Sequence, residues 1–327
     1  MLFYSLQHFG DFAWVPWLVQ MLQHEENQLL VTYDGPEKAA STLAAEIEAT
    51  SPRFRSVHVE KSLPVRWGGA SMSEMHVAAM RKALEVSSWE FFINISGTCI
   101  PLVSQRTIRE KLKDSKSLGH LAFIETWPSL RPVTRPQSDK TAGEITREIG
   151  RLLLHGNAGL LEQFENPDFF PVRNPANRPF LLCHEPPEKP NMLRIEAPDD
   201  SEFAFRQRYF QHQPHVIGRA WWIFHRSVVH DLLVFLDSAQ SEDSRQVFLN
   251  SFQPDESFIP TILRNGLTAY SGSIVNHNFR AESGAPLLLN DQSFPPSLFE
   301  SGAFFARKVE HESAGVLRRE VERRVRM

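Results

Sequence analysis

Cysteine is nearly absent: Cys99 and Cys183 are the two in 327 residues, and no C-x-x-C pair occurs. That argues against a disulfide framework and a thiolate zinc site, and it suits a reducing compartment. Long apolar runs are also missing, since nothing approaches the roughly 18 consecutive apolar residues that a spanning helix needs. The most apolar N-terminal stretch, Phe12 to Leu22, is short and contains Pro16. It has no basic segment before it and no small-residue cleavage site after it, so neither a signal peptide nor a membrane span is expected. Charge of one sign is lacking as well: 35 Lys and Arg stand against 39 Asp and Glu, a formal net charge of -4. Such a chain has no broad cationic field for a phosphate backbone, which weighs against general nucleic-acid binding. No Asp-x-Asp, His-Glu-x-x-His, internal repeat or low-complexity tract is present. The pairs His212 with His215 and His225 with His230 lack partners at metal-ligand spacing, so no metal is assigned.

What is present is a core-forming chain, 42% hydrophobic and 11% aromatic. Short β-rich runs (Leu2–Leu6, Leu29–Tyr33, Ser56–Glu60, Phe91–Ile95) alternate with longer amphipathic ones (Phe12–His24, Glu37–Ala49, Met72–Val86, Thr107–Leu112). This order predicts βαβ crossovers and a parallel sheet covered on both faces. The second strand ends in Asp34-Gly35-Pro36, a turn at a strand's carboxyl end, where open α/β sheets place ligands. From Pro128 to Pro214 prolines accumulate around one helical stretch, Ala142–Phe164. That segment is the expected seat of acceptor specificity, because long irregular loops in compact proteins are usually functional. A buried strand over Gly218–Phe224, a helix over Ser227–Leu236 and another from Asp255 follow. Arg307–Met327 carries seven basic and four acidic side chains, with Val309, Val316, Leu317, Val321 and Val325 near helical spacing. It predicts an amphipathic helix that either lies on an anionic membrane or ends the fold as a solvated helix.

Three segments stand out together: Val65-Arg66-Trp67-Gly68-Gly69-Ala70-Ser71, Ile93-Asn94-Ile95-Ser96-Gly97 running on through Cys99 to Pro101-Leu102, and Pro254-Asp255-Glu256. With Gly218-Arg219-Ala220-Trp221-Trp222 and Phe305-Ala306-Arg307-Lys308-Val309 they make five motifs in order. The pattern resembles the family of core-2/I-branching N-acetylglucosaminyltransferases and peptide O-xylosyltransferases, over about residues 2 to 309. The resemblance implies an α/β, GT-A-like fold and an inverting glycosyltransferase that uses a UDP-sugar without a metal. GlcNAc is the first donor expected and xylose the second.

By the same resemblance Glu256 is the catalytic base, Arg280, Arg307 and Lys308 hold the donor diphosphate, and Asp34 contacts the nucleoside. Glu125, Trp221 and Trp222 are the acceptor-binding candidates. Elementary chemistry agrees with these roles. A single displacement needs a carboxylate for the acceptor proton and positive charge at the leaving diphosphate. Trp221 and Trp222 offer apolar faces to a sugar, although strand alternation sends one of them to the core. Without a catalytic role, Asp255 reads as a helix N-cap and Glu256 as a first-turn acid, with Pro260 early and Gly266 closing the helix. Cys99 stands where the family has an acid, and the family's disulfide cysteines are missing. The absence of a signal anchor and of the disulfide cysteines implies, by this analogy, a bacterial-type cytoplasmic member acting on surface-polysaccharide or glycolipid precursors. The expected organisation is one catalytic domain over 1–306, with the loop-rich segment at about 128–214, and a basic amphipathic C-terminal helix over 307–327, either a peripheral membrane contact or a solvated end of the fold. Two other readings stay open. One is a non-catalytic glycan- or nucleotide-binding module on the same fold; the other is a glycoside hydrolase, for which no partner carboxylate is identified.

Overall fold

The computed structural model describes residues 1–66, 68–86, 88–128, 178–185, 194–196, 198–264, 276–278 and 288–326. Strand β1 (Leu2–Phe9) sends Tyr4 and Leu6 into one apolar core and Phe3 into another, the period-two alternation of a strand buried on both faces. Strands β2 (Gln28–Asp34), β3 (Ser56–Lys61) and β4 (Phe91–Ser96) continue a parallel sheet. Helices α1 (Val15–Leu22), α2 (Glu37–Thr50) and α3 (Ala70–Glu85) make the crossovers. After the short β5 (Ile100–Pro101), helix α4 (Gln105–Ser117) starts two residues before the expected Thr107, because Ser104 accepts a capping hydrogen bond from the Thr107 N–H. Strand β6 (Ala122–Pro128) follows.

An antiparallel pair, β7 (Leu182–His184) and β8 (Arg194–Glu196), precedes helix α5 (Asp200–His212) and the long strand β9 (Val216–His225). Helices α6 (Arg226–Leu236) and α7 (Glu242–Leu249) come next. A tight 3-10 turn, Pro254–Glu256, leads into the short α8 (Phe258–Ile262). Strands β10 (Asn276–Asn278) and β11 (Phe305–Arg307) and helix α9 (Gly315–Val325) complete the described elements. The expected helix 142–164 lies outside the described residues.

The main sheet has the order β3-β2-β1-β4-β9-β6, with β9 antiparallel to both neighbours. This is the expected α/β class, a mostly parallel sheet flanked by helices. One core collects side chains of α1, α2, α4 and α9, and the other those of α3, α6, α7 and α8. The chain winds from β1 through β2 to β3 and then returns to place β4 on the other side of β1. The carboxyl ends of β1 and β4 therefore flank the point where strand order reverses, the place where open α/β sheets bind ligands.

The C-terminal expectation needs correction. Phe305–Arg307 is a strand, paired in parallel with β10 and antiparallel with β5. The helix begins only at Gly315, and its first turn is capped from a distance: Asp291 Oδ1 accepts from the Val316 and Leu317 N–H groups at 2.7 and 2.9 Å. Its apolar stripe, Leu317, Val321 and Val325, is buried in the same core as Val15 and Leu18. Trp17 Nε1 also donates to Glu322 Oε1 at 2.6 Å. The face that would enter a membrane is thus already inside the protein, because burial against α1 removes the same apolar area from water. Among the described residues no helix is long and apolar enough to cross a membrane.

Candidate active site

The first motif folds around a carboxylate from the proline-rich region. Ser71 Oγ accepts from the Arg66 N–H at 2.8 Å, while the Ser71 N–H donates to Glu185 Oε1 at 2.8 Å. Arg66 lies 3.6 Å from the other oxygen of Glu185. Glu185 thereby serves the Ser71 N–H at the start of α3, as an acid near a helix N-terminus should. Gly69 makes this possible, since a Cβ there would stand 2.0 Å from Glu185 Oε1. Asp34, at the end of β2, spends Oδ2 on the Val65 N–H at 3.0 Å and so ties this loop to the sheet edge.

The same loop positions the third motif. Gly68 O accepts from the Gln253 N–H at 2.7 Å, and Gln253 adopts φ +52, a left-handed turn that reverses the chain into Pro254-Asp255-Glu256. Asp255 is therefore not the N-cap of a helix: it is buried inside the turn, and its Oδ1 has no partner among the described residues. Burial first, and then the Glu256 carboxylate, push its pKa up to about 7, against the opposing pull of Arg178 and Arg307. Glu256 is more open and forms an ion pair with Arg178.

The second motif meets the last. The Gly97 N–H donates to Gln7 O at 2.8 Å, and a Cβ on Gly97 would stand 2.1 Å from the His8 ring. Beyond it β5 pairs with β11, and the Val309 N–H donates to Thr98 O at 3.0 Å. Arg307 and Lys308 are thus fastened beside the Ser96–Pro101 segment from some two hundred residues away. The Arg307 guanidinium lies over the Trp221 ring at 4.6 Å, within cation–π range. Burial lowers the pKa of Arg307, while Cys99, Glu256 and Asp255 oppose that shift and Arg219 adds to it. Lys308 is lowered by burial and then by Arg307. Arg307, Lys308, Asp255, Glu256 and Trp221 therefore form one electrostatically connected group at the sheet edge.

Trp222 is a correction. It is wholly buried, stacked on Phe224 at 4.2 Å and Phe92 at 5.5 Å, because neighbours on β9 face opposite sides of the sheet. It is a core side chain and has no surface to offer an acceptor. Glu125 lies on β6 where the register with β9 shifts, and its side chain is outside the described residues. Arg280 lies outside them too, as does Trp67. Sequence reasoning missed Arg178 and Glu185, which carry no motif and precede Pro179 and Pro186 in the irregular middle. The glycine at position 69, at the start of α3, was the one hint of a partner for that turn.

Residues 2–142 match the sequence model of the family described as Core-2/I-Branching enzyme. Xylosyltransferase 2 of Homo sapiens is 25% identical over 267 residues, covering 80% of this chain and 24% of the relative. Xylosyltransferase 2 of Mus musculus is 31% identical over 87 residues, covering 26% of this chain and 10% of the relative. The chain spans about a quarter of the length of the first of these relatives. Among solved structures, the apo form of mouse xyloside xylosyltransferase 1 aligns over 96% of this chain and 99% of its own, at 12% identity and a TM-score of 0.38. The matched segment 2–142 contains five of the six strands of the main sheet and two of the five motifs.

Proposed function

We propose that this chain is an inverting glycosyltransferase that moves a sugar from a UDP-sugar to a hydroxyl of a glycan or glycolipid acceptor. The observation that carries this reading is the convergence of carboxylates and cations from distant motifs: Gly68 suspends the turn bearing Glu256, and Thr98 fastens the strand end bearing Arg307 and Lys308. In the proposed step the acceptor oxygen bonds to the anomeric carbon as the bond from that carbon to the diphosphate oxygen breaks. Glu256 takes the acceptor proton, and the departing UDP keeps the bonding electron pair. Arg307 and Lys308, with Arg280 proposed beside them, supply the positive charge for the diphosphate in the role a divalent cation fills elsewhere. Asp34 is proposed at the nucleoside; its Oδ2 accepts from the Val65 N–H. Trp221 and Glu125 are proposed on the acceptor side.

The curated relatives are named xylosyltransferases, so UDP-xylose becomes the first donor to test and UDP-GlcNAc the second. The burial of Cys99 where the resembled family carries an acid favours a second reading, a binding module without turnover. Turnover by the wild type separates the two, and Glu256→Gln then tests the base. It should abolish transfer in the first reading while keeping UDP binding, and wild-type turnover in that variant would sink the base assignment. A thermal-shift titration in EDTA with UDP, both UDP-sugars and GDP tests the donor site directly. Ligand at ~100 times its Kd adds about 2.7 kcal/mol.

A further inference from the structure

Behind the proposed base lies a chain of contacts that contains no motif residue. Glu256 Oε2 is paired with Arg178 Nη1, and among the described residues this is the hydrogen bond that the Glu256 side chain makes. The Glu256 side chain keeps 40% exposure and that of Arg178 19%, so the carboxylate remains reachable while the guanidinium is mostly enclosed. Arg178 opens the 3-10 turn Arg178–Phe180, and that turn is held from inside. Arg206 Nη1 donates to Pro179 O at 2.5 Å, Ser251 Oγ at 2.7 Å and Val247 O at 3.0 Å. Phe180 is buried against Phe203 and Phe210. Ser251 lies two residues before Gln253, from which the turn bearing Glu256 begins. One buried guanidinium therefore fixes both the turn that carries Arg178 and the chain that leads to its partner.

We infer that Arg178 is a positioning residue for the proposed transfer: it holds Glu256 Oε2 and leaves Oε1 as the oxygen that receives the acceptor proton, on a frame set by Arg206. The inference rests on the reading of Glu256 as base. An exposed ion pair between mobile side chains would contribute little. Here one partner is mostly enclosed and mounted on a turn held at Pro179 O by Arg206 and packed through Phe180 on Phe203 and Phe210, so the pair restricts rotation of the carboxylate. Orientation of this kind matters, since a catalytic group misplaced by about 1 Å loses on the order of 10²-fold in rate.

The test uses the full chain and whichever UDP-sugar it turns over, comparing wild type, Arg178→Met, Arg178→Lys and Glu256→Gln. Arg178→Met should lower kcat on the order of 10²-fold with UDP affinity and acceptor KM essentially unchanged, and Arg178→Lys should restore part of the loss. Wild-type kcat in a folded Arg178→Met overturns the inference. So does a loss confined to acceptor KM, which would make Arg178 an acceptor-binding group. If Arg178→Met does not fold, Arg178→Gln is judged by the same split between kcat and KM. A live wild type with a dead Glu256→Gln and an unaffected Arg178→Met removes this inference alone. Full activity in Glu256→Gln removes the reading of the site and the inference with it.

Discussion

Arg206 and Arg307 are both arginines drawn out of water, and burial lowers the pKa of each, yet the two regions answer that cost in opposite ways. Behind the site, Arg206 is wholly buried and its guanidinium is met by two carbonyls, a hydroxyl and the Glu202 carboxylate. In the site, Arg307 rests on the face of Trp221, and its buried Nε has no partner among the described residues. Buried polar groups are ordinarily hydrogen-bonded. Each guanidinium leaves one buried nitrogen without a partner among the described residues, Nη2 of Arg206 and Nε of Arg307, but Arg206 is fastened through four protein acceptors, whereas Arg307 is held over an aromatic face, a cation set for a ligand. The proposed diphosphate is a ligand of that kind.

Substitution should separate the two roles, with the largest effect at Arg206. Arg206→Met strands the Glu202 carboxylate and three protein acceptors, and it should cost about 3–5 kcal/mol of stability in a chemical denaturation series. Arg307→Met should leave the melting midpoint near that of the wild type while abolishing the shift produced by UDP. A stable Arg206→Met, or an unstable Arg307→Met, would break the distinction.

The next effect concerns α9. Leu317→Ala should destabilise by about 2–5 kcal/mol, as a large-to-small change in a core does. A helix held for a membrane would lose vesicle binding and keep its stability instead.

The smallest effect sharpens the electrostatics of the turn. Asp255 has its pKa raised from an ordinary 3.8 to about 7 by burial and by Glu256. Its neutral form is therefore favoured on folding, and this stabilisation is present below pH 4 and lost as pH rises to 7. Asp255→Asn should equal the wild type in stability near pH 4, gain on it up to pH 7 and level off above. The gain should be on the order of 2 °C or more in Tm.

Much of the architecture was legible because apolar periodicity is a local property. The strand expected over Leu2–Leu6 runs to Phe9, and the one expected over Phe91–Ile95 runs to Ser96. Helix α5 was illegible for an equally physical reason: its fully buried residue is Arg206, and its half-buried aromatics Phe203, Phe205, Tyr209 and Phe210 do not line up in a single apolar stripe. The tryptophan pair was legible only as a pair; the side of the sheet each ring takes depends on the register of β9. Glu256, Arg307 and Lys308 could be nominated from motifs, whereas Arg178 and Glu185 could not. Their importance lies in a partner close in space and distant in sequence.

The sequence by itself determined the α/β class, the βαβ alternation of the first four strands and the residue types at the site, since propensity, periodicity and turn chemistry act over a few neighbours. Tertiary structure alone decided that Glu185 caps α3, that Asp291 starts α9 and that Arg178 pairs with Glu256. Each of those is a charge answered across a fold, and only closure of the chain brings the two halves within hydrogen-bond distance.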